Sequence, residues 1–294
     1  MALGVAAYAM WGAFPLYWPL LEPAGALEIL AHRLIWSLIV MVALVALTRR
    51  GRQLRRLVTT PRTFGLLALA GTAVSINWAT YIWGVNNGYV VETSLGYFIN
   101  PLVTVLMGVL VLRERMRPLQ WAAVGVGLLA VLVLAIDYGR PPWIALVLAF
   151  SFGSYGLLKK TANAGAIESL ALETAVVSPI ALVYVVWLGA TGAGHFTSEG
   201  IGHTALFVSA GVVTAVPLIC FGASAVRIPL VALGLLQYLA PIFQFALGVL
   251  YFHEAMPPGR WIGFGLVWIA LAVFTYEVIR HRRSQLRTAT GALI

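Results

Sequence analysis

Charge is scarce in this 294-residue chain. Asp, Glu, Lys and Arg make up 10% of it, against roughly 25% in an ordinary soluble domain. Hydrophobic residues make up 61%, and the mean hydropathy is +0.92. A soluble core has no use for so many uninterrupted apolar runs of about 20 residues, the length at which a helix crosses some 30 Å of hydrocarbon. Cysteine is scarcer still. Cys220 stands alone inside such a run, which excludes a disulfide framework and a thiolate metal cluster. A phosphate-cradling glycine loop, a nucleophile elbow and paired intramembrane aspartates are all missing. His253 and Glu254 read as half of a zinc-binding helix motif, but no second histidine follows and Pro257 makes the segment a turn. No metal, no cofactor and no enzyme chemistry are expected.

Acids are outnumbered, 10 against 19 basic residues, for a net charge of +9. Such a balance can point to nucleic acid, but here the basic residues sit in short loops between apolar runs, where membrane topology accounts for them better. The partner they imply is a lipid bilayer. Ten spans fit the apolar pattern, at roughly 2–21, 28–48, 65–87, 91–112, 117–136, 143–159, 168–190, 203–226, 230–252 and 259–279. The first has no basic residue ahead of it and no cleavage site, so it reads as a retained helix. The segment TRRGRQLRRLVTTPR reads as a cytoplasmic loop by its positive charge. With ten spans both termini are then inside, and so are all but three of the 19 Lys and Arg residues: Arg140 and Arg260 fall outside and Arg33 lies within a span.

The stretch SLGYFINPLVTVLMGVLVLRERMRPLQW returns 140 positions later. Pro101, Gly108, Glu114, Met116, Pro118 and Trp121 reappear as Pro241, Gly248, Glu254, Met256, Pro258 and Trp261. Each copy reads as an apolar helix broken near its middle by proline, then a charged turn, then a second apolar helix. Five spans per half is an odd number, so the halves enter the membrane from opposite sides. The fold class expected is all-α integral membrane, with ten transmembrane helices as two inverted five-helix repeats over 1–139 and 140–280 and a basic cytoplasmic tail over 281–294.

Long strings of the sequence, AYAMWGAFPLYW, EILAHRLIWS, INWATYIWGVNNGYVVETSLGYFINPL and LGLLQYLAPIFQFALGVLYFHE, resemble the RarD-like branch of the EamA-type drug/metabolite transporters, and the likeness covers nearly the whole chain. It implies ten helices around a central cavity and permease activity in a bacterial inner membrane, in a group linked to chloramphenicol resistance. One departure is Pro19, where the family pattern tends to carry lysine after FPLYW. Any role of that lysine does not transfer.

Polar side chains in a span are costly unless they face protein or water, so they mark candidate cavity positions. Tyr97, Asn100 and Thr104 share a face of the fourth span beside Pro101, and Gln237 and Gln244 share one in the ninth beside Pro241. Each proline frees the carbonyl four residues earlier, of Tyr97 and of Gln237. Asn77 and Tyr81 share a face of the third span. Trp78 and Trp11 sit deep enough to stack on an aromatic solute, whereas Trp83 reads as an interfacial anchor. The competing reading of each is plain helix packing.

Arg33 and Glu173, 140 apart and opposite in sign, lie at different depths and cannot touch. Either each snorkels, Glu173 to Lys159 or Lys160 and Arg33 to Glu28 or Glu92, or each lines a vestibule and takes part in gating or coupling, with Glu173 as a proton-coupling carboxylate. The function expected is a secondary permease for a small-molecule substrate, with protons as the candidate coupling ion. A membrane-embedded sensor using the same cavity without transport is the alternative, and an intramembrane lipid-modifying enzyme lacks a catalytic constellation.

Overall fold

Apolar runs punctuated by proline, glycine and arginine give an entirely helical chain, seen here in a computed structural model that describes residues 1–113, 116–225 and 236–291. Glu114, Arg115 and the segment 226–235, with Arg227, lie outside the described residues. The helices are α1 (Ala2–Gly12), α2 (Ala26–Leu47), α3 (Gly51–Thr59), α4 (Pro61–Asn86), α5 (Val90–Leu112), α6 (Pro118–Tyr138), α7 (Trp143–Ala162), α8 (Ala166–Thr191), α9 (Ile201–Ala225), α10 (Leu239–Ala246) and α11 (Pro258–Gly291). Seven of them are long and apolar enough to cross a membrane; the shorter apolar segments Ala2–Leu16 and Leu239–Tyr251, with α7, complete the ten-span pattern.

Four details differ from the sequence expectation. The first span is a helix only to Gly12 and then tightens into two 3₁₀ turns, Phe14–Leu16 and Trp18–Leu21, because Pro15 and Pro19 lack the amides an α-helix would use. The arginine-rich loop contains the short helix α3, whose Leu54 packs against Met41, Val45 and Leu170 while Arg52, Arg55 and Arg56 are exposed. Pro101 does not break its helix, since α5 runs through it, whereas Gln237 and Tyr238 form a turn ahead of α10 and Leu247–Tyr251 is a π turn. The basic tail continues α11 as helix to Gly291.

Much of the packing is repeated under exchange of the two halves, although α2–α4 and α5–α11 are more extensive than their counterparts. α4 lies on α7 as α9 lies on α1; α5 lies on α7 as α10 lies on α1; α4 lies on α8 as α9 lies on α2. The pairs α2–α8, α5–α10 and α6–α11 map onto themselves. Residues 140 apart repeat the same tasks. Gly25 and Gly165 precede α2 and α8 with extended backbone, and Glu28 and Glu168 are buried in the first turns. A Cβ on Gly71 would lie 2.8 Å from the Glu173 carbonyl oxygen of α8, and one on Gly211 would lie 2.6 Å from the Trp36 carbonyl oxygen of α2. The equivalent Gly125 and Gly265 both face open space, while Gly127 and Gly263, which are not 140 apart, admit Leu102 and Leu134 respectively. Arg113 and His253 both turn the chain with left-handed backbone, φ 56° and 53°.

Ion pairs fasten both ends. At the end that gathers most of the arginines, Arg117 pairs with Glu277 and Arg50 with Glu168 at 2.9 Å. At the opposite end, Arg260 reaches Asp137 at 3.2 Å, Arg140 reaches Glu92 at 2.7 Å and His195 reaches Glu28 at 2.9 Å. Asp137 and Glu277 occupy equivalent positions, so α6 and α11 are clamped together at both ends.

Candidate functional site

Five of the residues singled out in the sequence meet between α2, α4 and α5. At their centre is Arg33, 3% exposed and surrounded by rings rather than acids. Its Cζ lies 3.9 Å from the ring centroid of Trp78, 4.9 Å from Trp18 and 5.7 Å from Phe14. Its Nε donates to Thr214 Oγ1 of α9 at 2.9 Å. The expected snorkelling to Glu28 or Glu92 does not occur, because those carboxylates are held by His195 and Arg140. Helix geometry gives the reason for Glu28: at about 100° per residue, five positions place Arg33 about 140° around α2 from it.

Beside Arg33 the Tyr81 and Tyr97 rings meet edge to face at 5.6 Å, and Tyr97 Oη donates to Asn77 Oδ1 at 3.0 Å. Asn77, wholly buried, donates through Nδ2 to the Leu148 carbonyl at 2.9 Å and to Ser151 Oγ at 3.0 Å. Its polar atoms are committed to joining α4 with α5 and α7. Sequence reasoning missed Phe14, Trp18 and Thr214. The signal for the first two was the aromatic–proline string AFPLYW, whose 3₁₀ turns face its rings inward; Tyr17 is tied to α9 by donating to the Leu206 carbonyl at 2.6 Å.

The other candidates form looser groups. Gln244 Nε2 of α10 donates to the Trp11 carbonyl at 3.2 Å, and its Oε1 has no partner among the described residues. The Trp11 ring lies against Tyr8 and Phe221, at 5.2 and 5.7 Å. Asn100 is half-buried and Thr104 exposed, and the 3.5 Å separation between Thr104 Oγ1 and Asn100 Oδ1 is at the limit of a hydrogen bond. Gln237 is on the turn before α10, so the helical face expected to carry it with Gln244 does not form. Pro241 is buried in the first turn of α10.

Glu173, 1% exposed, accepts from Lys159 Nζ at 2.8 Å, and Lys159 also donates to Ser169 Oγ at 2.6 Å. The pair is the one expected from snorkelling. Toward the opposite end, Glu22, Pro23, Gly25, Trp83, Asn86 and Asn87 line a recess of about 460 Å³, and Trp83 stacks near Tyr89 and Trp143, as an interfacial anchor does. In the neighbouring loop Glu254 caps α5, accepting from the amides of Val90 and Val91. Burial drives its carboxyl up to about 7 against the pull of those amides and of Arg260.

Comparison with known proteins agrees with this architecture. Residues 1–136 match the EamA-like transporter family. Protein RarD of Streptomyces exfoliatus is 60% identical over 98% of this chain and 92% of its own length. An uncharacterized transporter of Pseudomonas aeruginosa is 43% identical over 96% of this chain and 94% of its own. A solved structure described as a crystal structure of protein shares the fold, with a TM-score of 0.59 and 18% identity over 92% of this chain and 95% of that one. The chain therefore belongs to the RarD-like branch of the EamA-like transporter family, as a multi-pass membrane protein of the transporter class.

Proposed function

We propose that this protein is a secondary permease of a bacterial inner membrane, moving small amphipathic metabolites or drug-like molecules by alternating access between halves divided at 139/140, with both termini cytoplasmic. The observation that supports the reading is the repetition of the main helix pairings under exchange of the halves. In a fold doubled in this way an inward-open and an outward-open arrangement can be built from the same contacts with the halves interchanged, and a solute bound between them shifts their populations. Asn100, Thr104, Gln244 and the Arg33 cluster line the path, with Trp11, Trp78 and Tyr81 as its aromatic walls and Gln237 at its rim. Pro101, inside α5, frees the carbonyl of Tyr97 toward it, whereas Pro241, in the first turn of α10, does not act as a mid-helix kink. Glu173 is the proton-coupling carboxylate: a buried acid paired with Lys159 can exchange that partner for a proton.

Uptake into proteoliposomes, screened with chloramphenicol and other small amphipathic solutes with and without an imposed pH gradient, tests the reading. Saturable uptake with counterflow is expected, raised by the gradient in the wild type and not in Glu173→Gln. Binding without flux would overturn the permease, and gradient-driven uptake surviving in Glu173→Gln would remove Glu173 from coupling.

A further inference from the structure

Among the described buried residues, Arg33 is a cation paired with no carboxylate. Arginine holds its charge across the ordinary pH range, and an uncompensated buried charge is among the costliest features a fold can carry. Three rings and the Thr214 hydroxyl recover part of that cost, but they occupy the guanidinium faces and Nε, and Nη1 has no acceptor among the described residues. Two further donors of the same cluster are equally buried and equally unaccepted: Trp18 Nε1, in the ring beneath the guanidinium, and the Tyr81 hydroxyl, within electrostatic reach of it. Three buried donors, Arg33 Nη1, Trp18 Nε1 and Tyr81 Oη, thus lack an acceptor among the described residues in a cluster that carries one positive charge.

We propose that this cluster binds the carboxylate of a flat, apolar monoanion. A single negative charge neutralises Arg33 and leaves the occupied site with no net charge, whereas a dianionic phosphate would replace one buried charge with another. A carboxylate oxygen in the guanidinium plane accepts from Nη1, and the second oxygen is available to Trp18 and Tyr81. The rings packed around Arg33, Phe14, Trp18 and Trp78, make its surroundings apolar and favour a planar apolar body over a hydrated one. A zwitterion is disfavoured, since its ammonium would need a buried acid beside the cluster, and the buried Glu28 and Glu92 are already paired while Glu22 is exposed in the recess beside Trp83. The inference rests on reading this cluster as part of the solute path, but it concerns equilibrium binding and does not need translocation.

The test is equilibrium binding of radiolabelled phenylacetate to the purified full-length protein in detergent, competed by phenylacetic acid's neutral amide, by phenylalanine and by chloride. Phenylacetate is expected to bind saturably and at least tenfold more tightly than phenylacetamide. Arg33→Gln is expected to abolish that preference, Arg33→Lys to keep part of it, and Thr214→Val to weaken the acid a few-fold. Equal affinity of acid and amide in the wild type would overturn the proposal, a comparison that needs no variant, as would displacement by chloride at equal concentration. Carboxylate-selective binding without vesicle flux would leave this site standing and remove the permease. Vesicle flux of neutral solutes without carboxylate preference would do the reverse.

Discussion

Asn77 and Asn100 look alike in the sequence, as single asparagines in apolar helices, yet the structure gives them opposite surroundings. Asn77 is enclosed and makes three hydrogen bonds, at 2.9, 3.0 and 3.0 Å, to two neighbouring helices. Asn77→Ala strands Tyr97 Oη, a buried donor, so a loss of about 1–3 kcal/mol is expected, visible as a lower melting temperature in detergent. Asn100, half-buried with only a long contact to Thr104, has little to lose: Asn100→Ala is expected to keep the wild-type melting temperature and to lose solute movement. Equal destabilisation by both would place Asn100 in the packing. The sequence shows that a polar residue in a span has a partner; which partner depends on the rotation of other helices, and that is why Arg33 was legible as special while its ring-lined setting was not.

At the scale of elements, the long apolar helices were readable because a span needs only length and hydropathy. The short pieces were not. α3 is polar overall and shows itself only by the periodicity of a few apolar residues, and the π turn at Leu247–Tyr251 depends on where the chain must reach to let Glu254 cap α5. Two expectations belong here. Gly71→Leu and Gly211→Leu would drive side chains into the backbone of α8 and α2, so both are expected to lower the melting temperature by several degrees, whereas Gly125→Leu, facing open space, leaves it unchanged. The second concerns pH. Burial raises the Glu254 carboxyl from 4.5 to about 7, so the folded chain holds this proton more tightly than the unfolded chain. Its contribution to stability is full below about 4.5 and is lost as pH rises to about 7. The wild type is therefore expected to lose melting temperature between pH 5 and pH 8 more steeply than Glu254→Gln. Parallel profiles would show that the cap does not titrate there.

At the scale of the whole molecule, an offset of 140 recurs in the sequence and in many of the helix pairings. The offset of 140 was visible in one stretch of sequence, through Pro101 and Pro241 or Glu114 and Glu254, and the odd number of spans per half implied inversion. What sequence comparison could not expose are equivalences between unlike residues: Asp137 and Glu277 are bound by arginines that are not themselves 140 apart, Arg260 and Arg117, and Arg33 and Glu173 share a position while one meets rings and the other a lysine. Structural symmetry with chemical asymmetry is what a transporter needs if the two halves are to exchange conformations around a single shared site. The central claim is that the α5 face beside Pro101, with Asn100 and Thr104, opens alternately to the two sides. Its most direct measurement is the labelling of Asn100→Cys, in a Cys220→Ser background, by a membrane-impermeant thiol reagent applied to either face of oriented vesicles. Labelling from both faces, with solute shifting the ratio between them, is the expected result; labelling from one face only, unmoved by any transported solute, would contradict the account.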